Sequence, residues 1–258
     1  MKVAVVGGGL SGHAIARAIA ARGASPVLFS RSTGFDVTRD DAMLRLRDAD
    51  VIVEATGRFT TSRSIATRFF TQSTRAVAAA ANAVGARHVL LSIVNCERAE
   101  VQGYGYFAGK RAQEEAARDL SRDLAIVRTT QWFEFAGQTL ERMGLGPVGL
   151  VPRMLIQPVA LDAVAAVVAD AAVEPKTVVQ REVAGPEIMT LAEMTRRVRP
   201  TKVVRIPLLL PGPTWRAIRH GALLPSQDAA IVGPTFSDWL AHDRTHAEAD
   251  GIGDASSA

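Results

Sequence analysis

Val3-Ala4-Val5-Val6-Gly7-Gly8-Gly9-Leu10-Ser11-Gly12 opens the chain, and the reading of everything after it depends on this stretch. A short, mostly β-branched apolar run feeds directly into Gly7-x-Gly9-x-x-Gly12. Residues 13–22 then carry alanine and isoleucine at helical spacing and stop at Gly23. Strand, glycine turn and helix in this order make a cradle for the pyrophosphate of a dinucleotide. Gly7 lets the chain turn sharply out of the strand. Gly9 has no Cβ, so backbone can approach the phosphates closely. Gly12 lets the helix pack tightly on the strand, with the N–H groups of its first turn, at Leu10 and Ser11, aimed at the anion.

The second strand, at residues 26–29, runs into Ser30-Arg31-Ser32. An acid here would accept hydrogen bonds from a ribose 2′-hydroxyl, and none is present. A guanidinium with two hydroxyls suits a 2′-phosphate instead, so NADP(H) is favoured over NAD(H). The plainer alternative is a solvated Arg31 in a turn. Only residues 30–35 separate this strand from Asp36-Val37, too few for a crossover helix. The third strand is therefore either cut to a few residues or replaced by an extended loop, which leaves the adenosine half of the site open.

Strands predicted at residues 50–55, 88–94, 124–128 and 177–183 alternate with helices at 64–83, 107–120 and 161–172. That pattern predicts an α/β fold: a doubly wound parallel sheet of Rossmann type, with ligand beyond the carboxyl ends of its strands. Residues 1–185 form the nucleotide-binding domain. From Pro186 the chain turns irregular: a helix with a capping-box start at Thr190-Leu191-Ala192-Glu193 stops before Pro200, a strand follows at 202–206, and short helices lie near 214–220 and 236–240. Residues 186–242 read as a small cap over the sheet edge, and 243–258 as a disordered tail with little to bury.

Composition fits an enzyme-sized globular chain, with 258 residues, 48% hydrophobic, and a net charge of +4. No Lys/Arg run suggests nucleic acid, and the most apolar helical stretch, 159–173, is interrupted by Asp162 and Asp170 and too short for a bilayer. No signal peptide is read at the start, so the cytoplasm is the expected compartment. Cys96 is the only cysteine, and His13, His88, His220, His242 and His246 show no ligand spacing, so no metal site is expected. Cys96 has no activating base in view and reads as a bystander.

Both tyrosines lie in Gly103-Tyr104-Gly105-Tyr106-Phe107-Ala108-Gly109-Lys110. Tyr106 and Lys110 sit one turn apart on one helix face. A nearby ammonium is expected to lower the tyrosine pKa toward the range useful for acid–base catalysis. Ser92, at the end of the preceding strand, could bond a substrate oxygen, while Tyr104 falls on a different face. Lys110, Arg111, Glu114, Glu115 and Arg118 are expected on the polar sides of this helix. Trp132, Phe133 and Phe135 either line the pocket or pack in the core.

With the residues just quoted, Leu91-Ser92-Ile93-Val94, Val127-Arg128-Thr129-Thr130-Gln131-Trp132-Phe133, Gln157-Pro158-Val159-Ala160 and Ala184-Gly185-Pro186-Glu187, the chain resembles the short-chain dehydrogenase/reductase superfamily over residues 1–240. It is most similar to the atypical NmrA-like branch. The resemblance implies Tyr106 as proton donor, Lys110 on the nicotinamide ribose, and Ser92 orienting the substrate oxygen. It places Asp36-Val37 at the adenine and Ala55-Thr56-Gly57 along the adenosine side. Val6 departs from the branch, which often has its first glycine there. The implied activity is hydride transfer to a small carbonyl or quinone-like substrate. Some NmrA-like members instead sense the nucleotide for protein partners without turnover. Sugar-nucleotide epimerases are a third possibility, disfavoured by the short cap and the lack of a second basic cluster.

Overall fold

The computed structural model describes residues 1–174, 180–198 and 204–242. The start of the late strand at 177–179, the predicted helix stop before Pro200, residues 202–203 and the 243–258 tail lie outside the described residues. From the N-terminus, β1 (Lys2–Val6) leads through α1 (Leu10–Ala20) to β2 (Ser25–Phe29). A loop holding the short α2 (Ala42–Arg45) precedes β3 (Val51–Glu54), α3 (Arg63–Val84), β4 (Arg87–Ile93), α4 (Gly105–Leu120), β5 (Leu124–Thr129) and α5 (Phe135–Arg142). Then come β6 (Gly144–Leu145), β7 (Val148–Pro152), β8 (Leu155–Ile156), α6 (Leu161–Val173) and β9 (Gln180–Ala184). The chain closes with β10 (Met189–Thr190), α7 (Leu191–Val198), β11 (Val204–Leu208), α8 (Pro213–Arg219) and β12 (Ala230–Ile231).

Seven strands pair in parallel in the order β12-β9-β5-β4-β3-β1-β2. Val3 and Val5 of β1 face the core under α1 and α6, while Ala4 and Val6 face the one under α3. Burial on both faces explains why β1 reads as a continuous apolar run rather than an alternating one. The chain leaves β1 to one side for β2 and to the other for β3, which opens a crevice at the carboxyl ends of β1 and β3.

No third strand forms after β2, so of the two expectations the loop is the one observed. Residues 31–33 make a 3-10 turn closed on itself: the Ser30 N–H donates to Thr33 Oγ1 at 2.8 Å and the Phe35 N–H to the Ser30 carbonyl at 2.8 Å. Gly34 follows at φ 76°. Phe35 and Val37 then drop into the core beside Leu46 and Ile52, holding the chain against the sheet without pairing with it. β2, with Pro26 in it, is left as the sheet's last strand, and Val27 is 51% exposed.

The cap is assembled from two segments rather than from the region after residue 185 alone. β7 pairs with both β6 and β11, and β8 pairs with β10. Phe133, Met154, Ile156, Leu191 and Phe236 share a second core between them. The predicted capping box is present at the head of α7, where the Thr190 N–H reaches Glu193 Oε2 at 2.7 Å and the Glu193 N–H reaches Thr190 Oγ1 at 3.2 Å. β12 returns from the cap to the central sheet. Among the described residues no helix is long and apolar enough to cross a membrane.

Candidate active site

The glycine turn has a distinct reason at each position. Gly7 has φ +133°, and a Cβ there would strike the Ala55 carbonyl. A Cβ on Gly12 would strike the Gly7 carbonyl, so α1 packs on the turn with no room for a side chain. Gly9 is different: its angles are ordinary (φ −86°, ψ −174°), and a Cβ would meet no protein atom within 4 Å. The room beside Gly9 therefore faces a cavity and not protein. Gly9 is the N-cap of α1 and offers no side-chain cap to its first turn, which leaves that end of the helix suited to an anion.

One cavity runs from this turn across the carboxyl ends of β1, β3, β4 and β5. Of the residues selected from sequence, Gly7, Gly9, Leu10, Ser11, Ser30, Arg31, Ser32, Asp36, Val37, Ala55, Thr56, Gly57, Ser92, Tyr106 and Lys110 all line it. Gly12 does not, being packed beneath. Ser30 and Ser32 join their hydroxyls at 2.7 Å beside the exposed Arg31. Arg39 and Arg58, which sequence reasoning passed over, line the same cavity. Asp36 accepts the N–H and hydroxyl of Thr38 at 3.0 and 2.7 Å, and chiefly these bonds hold its carboxyl below the usual range. Of the aromatic residues after β5, Trp132 and Phe135 line the cavity and Phe133 is buried in the second core.

A nicotinamide dinucleotide fits what is present. The open side of Gly9 and the uncapped start of α1 suit the pyrophosphate, and the Ser30–Ser32 turn offers hydroxyls and a guanidinium. At the end of β5, Thr130 Oγ1 and Gln131 Oε1 are buried without a hydrogen-bond partner, and both residues line the cavity. Buried polar atoms left unmatched by protein are costly, by roughly 1–3 kcal/mol each, unless a ligand or water meets them.

The pair on α4 is arranged otherwise than its spacing suggested. The Lys110 ammonium donates to the Leu91 carbonyl at 2.8 Å and to Gln113 Oε1, and lies 5.0 Å from the centre of the Phe70 ring. Tyr106 meets the same ring edge-on, with centroids 5.8 Å apart. Burial pushes the Tyr106 phenol up to about 12, with the neighbouring Tyr104 and Cys96 adding to the rise. The expected lowering by Lys110 is not seen, because Leu91 and Gln113 draw the ammonium toward the sheet. Ser92 is buried, with its hydroxyl 4.0 Å from the Cys96 sulfur. Tyr104, set on another helix face by its spacing, is the residue capping α4 and lines the same cavity.

Two buried networks stand behind this wall, and most of their members were given no role by the sequence. Lys110 and Glu114 are not on solvated sides of α4 but 3% and 1% exposed. Behind Lys110, Gln113 Nε2 donates to Glu54 Oε1 at 2.8 Å. Glu54 also takes hydrogen bonds from Thr56, Ser73 and Thr74, and lies 3.2 Å from His88 Nε2. Burial raises the Glu54 pKa, but the His88 bond and charge and the Ser73 and Thr74 hydroxyls outweigh it and leave it below the ordinary value. The signal in sequence was a carboxylate ending an otherwise apolar strand. Glu54 thereby ties the Thr56 loop to the residue that holds Lys110.

Beneath Ser92, Arg128 grips Glu114 through two bonds of 2.9 and 2.7 Å and also reaches Glu97 and Glu182. Burial works to raise Glu114, yet Arg128, Ser92 and Arg118 hold it down at about 2. A carboxyl lowered in the folded state stabilises fully above its unfolded value, near 4.5, and less as pH falls from there through about 2. Acid unfolding is therefore expected to steepen in that window for the wild type. Glu114→Gln should flatten this pH dependence while costing about 3 kcal/mol at neutral pH, since Glu97 and Glu182 still partner Arg128. Denaturant melts of both proteins at several pH values check this. An unchanged acid limb would exclude the role. The Cys96 thiol, buried and 3.4 Å from Glu114 Oε1, is pushed up to about 12 and stays protonated.

No protein-family model matches the sequence, and no curated protein matches it. Solved structures do. A dTDP-4-dehydrorhamnose reductase of Clostridium acetobutylicum superposes with a TM-score of 0.73 at 15% identity, covering 95% of this chain and 99% of the other. A short-chain dehydrogenase/reductase superfamily protein of Agrobacterium tumefaciens with bound NAD gives 0.68 at 14%, covering 98% and 99%. The fold is the Rossmann-type α/β fold that these structures share. An NADPH-dependent quinone oxidoreductase of Escherichia coli, complexed with NADPH, gives 0.64 at 18%, covering 93% and 99%. Among the described residues no strand lies outside β2, where the standard doubly wound sheet has one.

Proposed function

We propose that this protein is an oxidoreductase that uses NADP(H) to reduce a small carbonyl or quinone-like substrate, with Tyr106 giving the proton. The observation that carries this reading is a single cavity lined both by the glycine turn and by Ser92, Tyr106 and Lys110. Gly7, Gly9, Leu10 and Ser11 would hold the pyrophosphate, Arg31 with Ser30 and Ser32 the 2′-phosphate, Asp36 and Val37 the adenine, and Ala55, Thr56 and Gly57 the adenosine side. The dinucleotide supplies a hydride when bound. A phenol raised to about 12 keeps its proton at neutral pH, so Tyr106 is a stocked donor, which suits reduction. Ser92 would orient the substrate oxygen. An ammonium has three donors, and Lys110 spends two on Leu91 and Gln113, which leaves one for the nicotinamide ribose.

Preference for the phosphorylated dinucleotide rests on Arg31. Arg31→Ala should lose a charge-assisted contact of roughly 1.5–3 kcal/mol, more than tenfold in NADPH affinity, and leave NADH nearly unaffected. Calorimetric titrations that show equal losses for both would remove Arg31 from the site. The activity itself is tested by NADPH consumption over a panel of carbonyls and quinones. One observation favours a second reading, a nucleotide-binding regulator acting through a protein partner: Lys110 is held toward the sheet, and nothing lowers Tyr106. Tight NADPH binding with no consumption across the panel would select it.

A further inference from the structure

Beyond the dinucleotide, the same cavity reaches the last turn of α5 and the cap, where Arg142 lies over the face of Phe59 with its guanidinium carbon 4.6 Å from the ring centre. Phe59 belongs to the loop after β3 and is 60% exposed, so it serves this guanidinium rather than a core. A guanidinium held over a ring keeps its fork of N–H donors available, and that fork can take an oxyanion through paired bonds. No described carboxylate forms a salt bridge with Arg142. Tyr104 lines the same cavity, where burial raises its phenol and the Arg142 charge pulls it partway back. Tyr104 in turn packs on Trp215 of α8, with centroids 5.7 Å apart, and both line the cavity. An anchored cation thus adjoins an aromatic wall in one cavity.

Resting on the reductase reading, we infer that the substrate carries an oxyanion group, a carboxylate or a phosphate, which docks on Arg142 while its apolar body lies on Tyr104 and Trp215.

The test uses three probes with one phenylalkyl body, bearing a carboxylate, a phosphate or a methyl ester. Calorimetry on the full chain, with and without NADPH, measures each. The wild type is expected to bind the carboxylate or the phosphate at least about tenfold more tightly than the ester, the two anions showing which source is preferred. Arg142→Met should abolish that ratio, Arg142→Lys should keep part of it, and NADPH affinity should stay the same in both. Equal binding of ester and anions by the wild type, no anion binding at all, or an unchanged ratio in Arg142→Met would each overturn the inference. Failure of NADPH to bind the wild type sinks the reductase reading instead, and the anion-to-ester ratio measured without dinucleotide still decides the role of Arg142.

Discussion

Tyr106→Phe is expected to bind NADPH as tightly as the wild type and to lose about 10²–10⁴-fold in turnover, the usual worth of general acid catalysis. The reason is local. The ring packs against Phe70 and Phe107, so removing the hydroxyl leaves the packing of α4 intact and takes away only the proton. Lys110→Met should behave differently. It deletes the ammonium that bonds Leu91 and Gln113, so cofactor affinity and turnover should fall together. Tyr104→Phe should leave the chemical step nearly unchanged. Steady-state rates and binding constants for the three variants separate these outcomes, and an undiminished rate in Tyr106→Phe would end the proposed mechanism.

Gly9→Val should abolish binding of both NADPH and NADH while the protein remains folded. Its backbone angles suit any residue, and the added Cβ would meet no protein atom within 4 Å, so the two branches of valine would project into the space kept for the pyrophosphate. Gly7 and Gly12 are poor choices for the same experiment, since a side chain at either collides with backbone and would unfold the turn. Circular dichroism alongside calorimetry provides the check. A folded Gly9→Val protein with full affinity would mean that the ligand sits elsewhere.

How legible the molecule was in its sequence followed the range of the forces involved. β1, the glycine turn, α3, α4 and the head of α7 are specified by neighbours a few residues apart, and their predicted bounds differ from the observed ones by three residues or fewer. Residues that meet only in three dimensions were opaque. Gln113 and Glu54 are 59 positions apart, and Arg128 and Glu114 belong to different elements. α4 misled because periodicity separates polar from apolar residues, not solvated from buried ones, and its inward face holds Lys110, Gln113 and Glu114. The spacing of Tyr106 and Lys110 likewise placed them together but could not foresee the Leu91 carbonyl, contributed by β4, that claims the ammonium. The two-residue strands β6, β8 and β10 carry no pattern of their own, so the pairing of residues 144–156 with those after 185 could not be read in advance.

Ending the sheet at β2 exposes one flank of that strand to other molecules. The Ser25 N–H donates inward to Met1, so alternation turns position 26 outward, and position 26 is a proline with no N–H to offer. Five residues long, the strand is left with Leu28 as its outward-facing donor. A rim this short and this poor in donors gives a neighbouring copy almost nothing to template on, and so discourages edge-to-edge polymerisation.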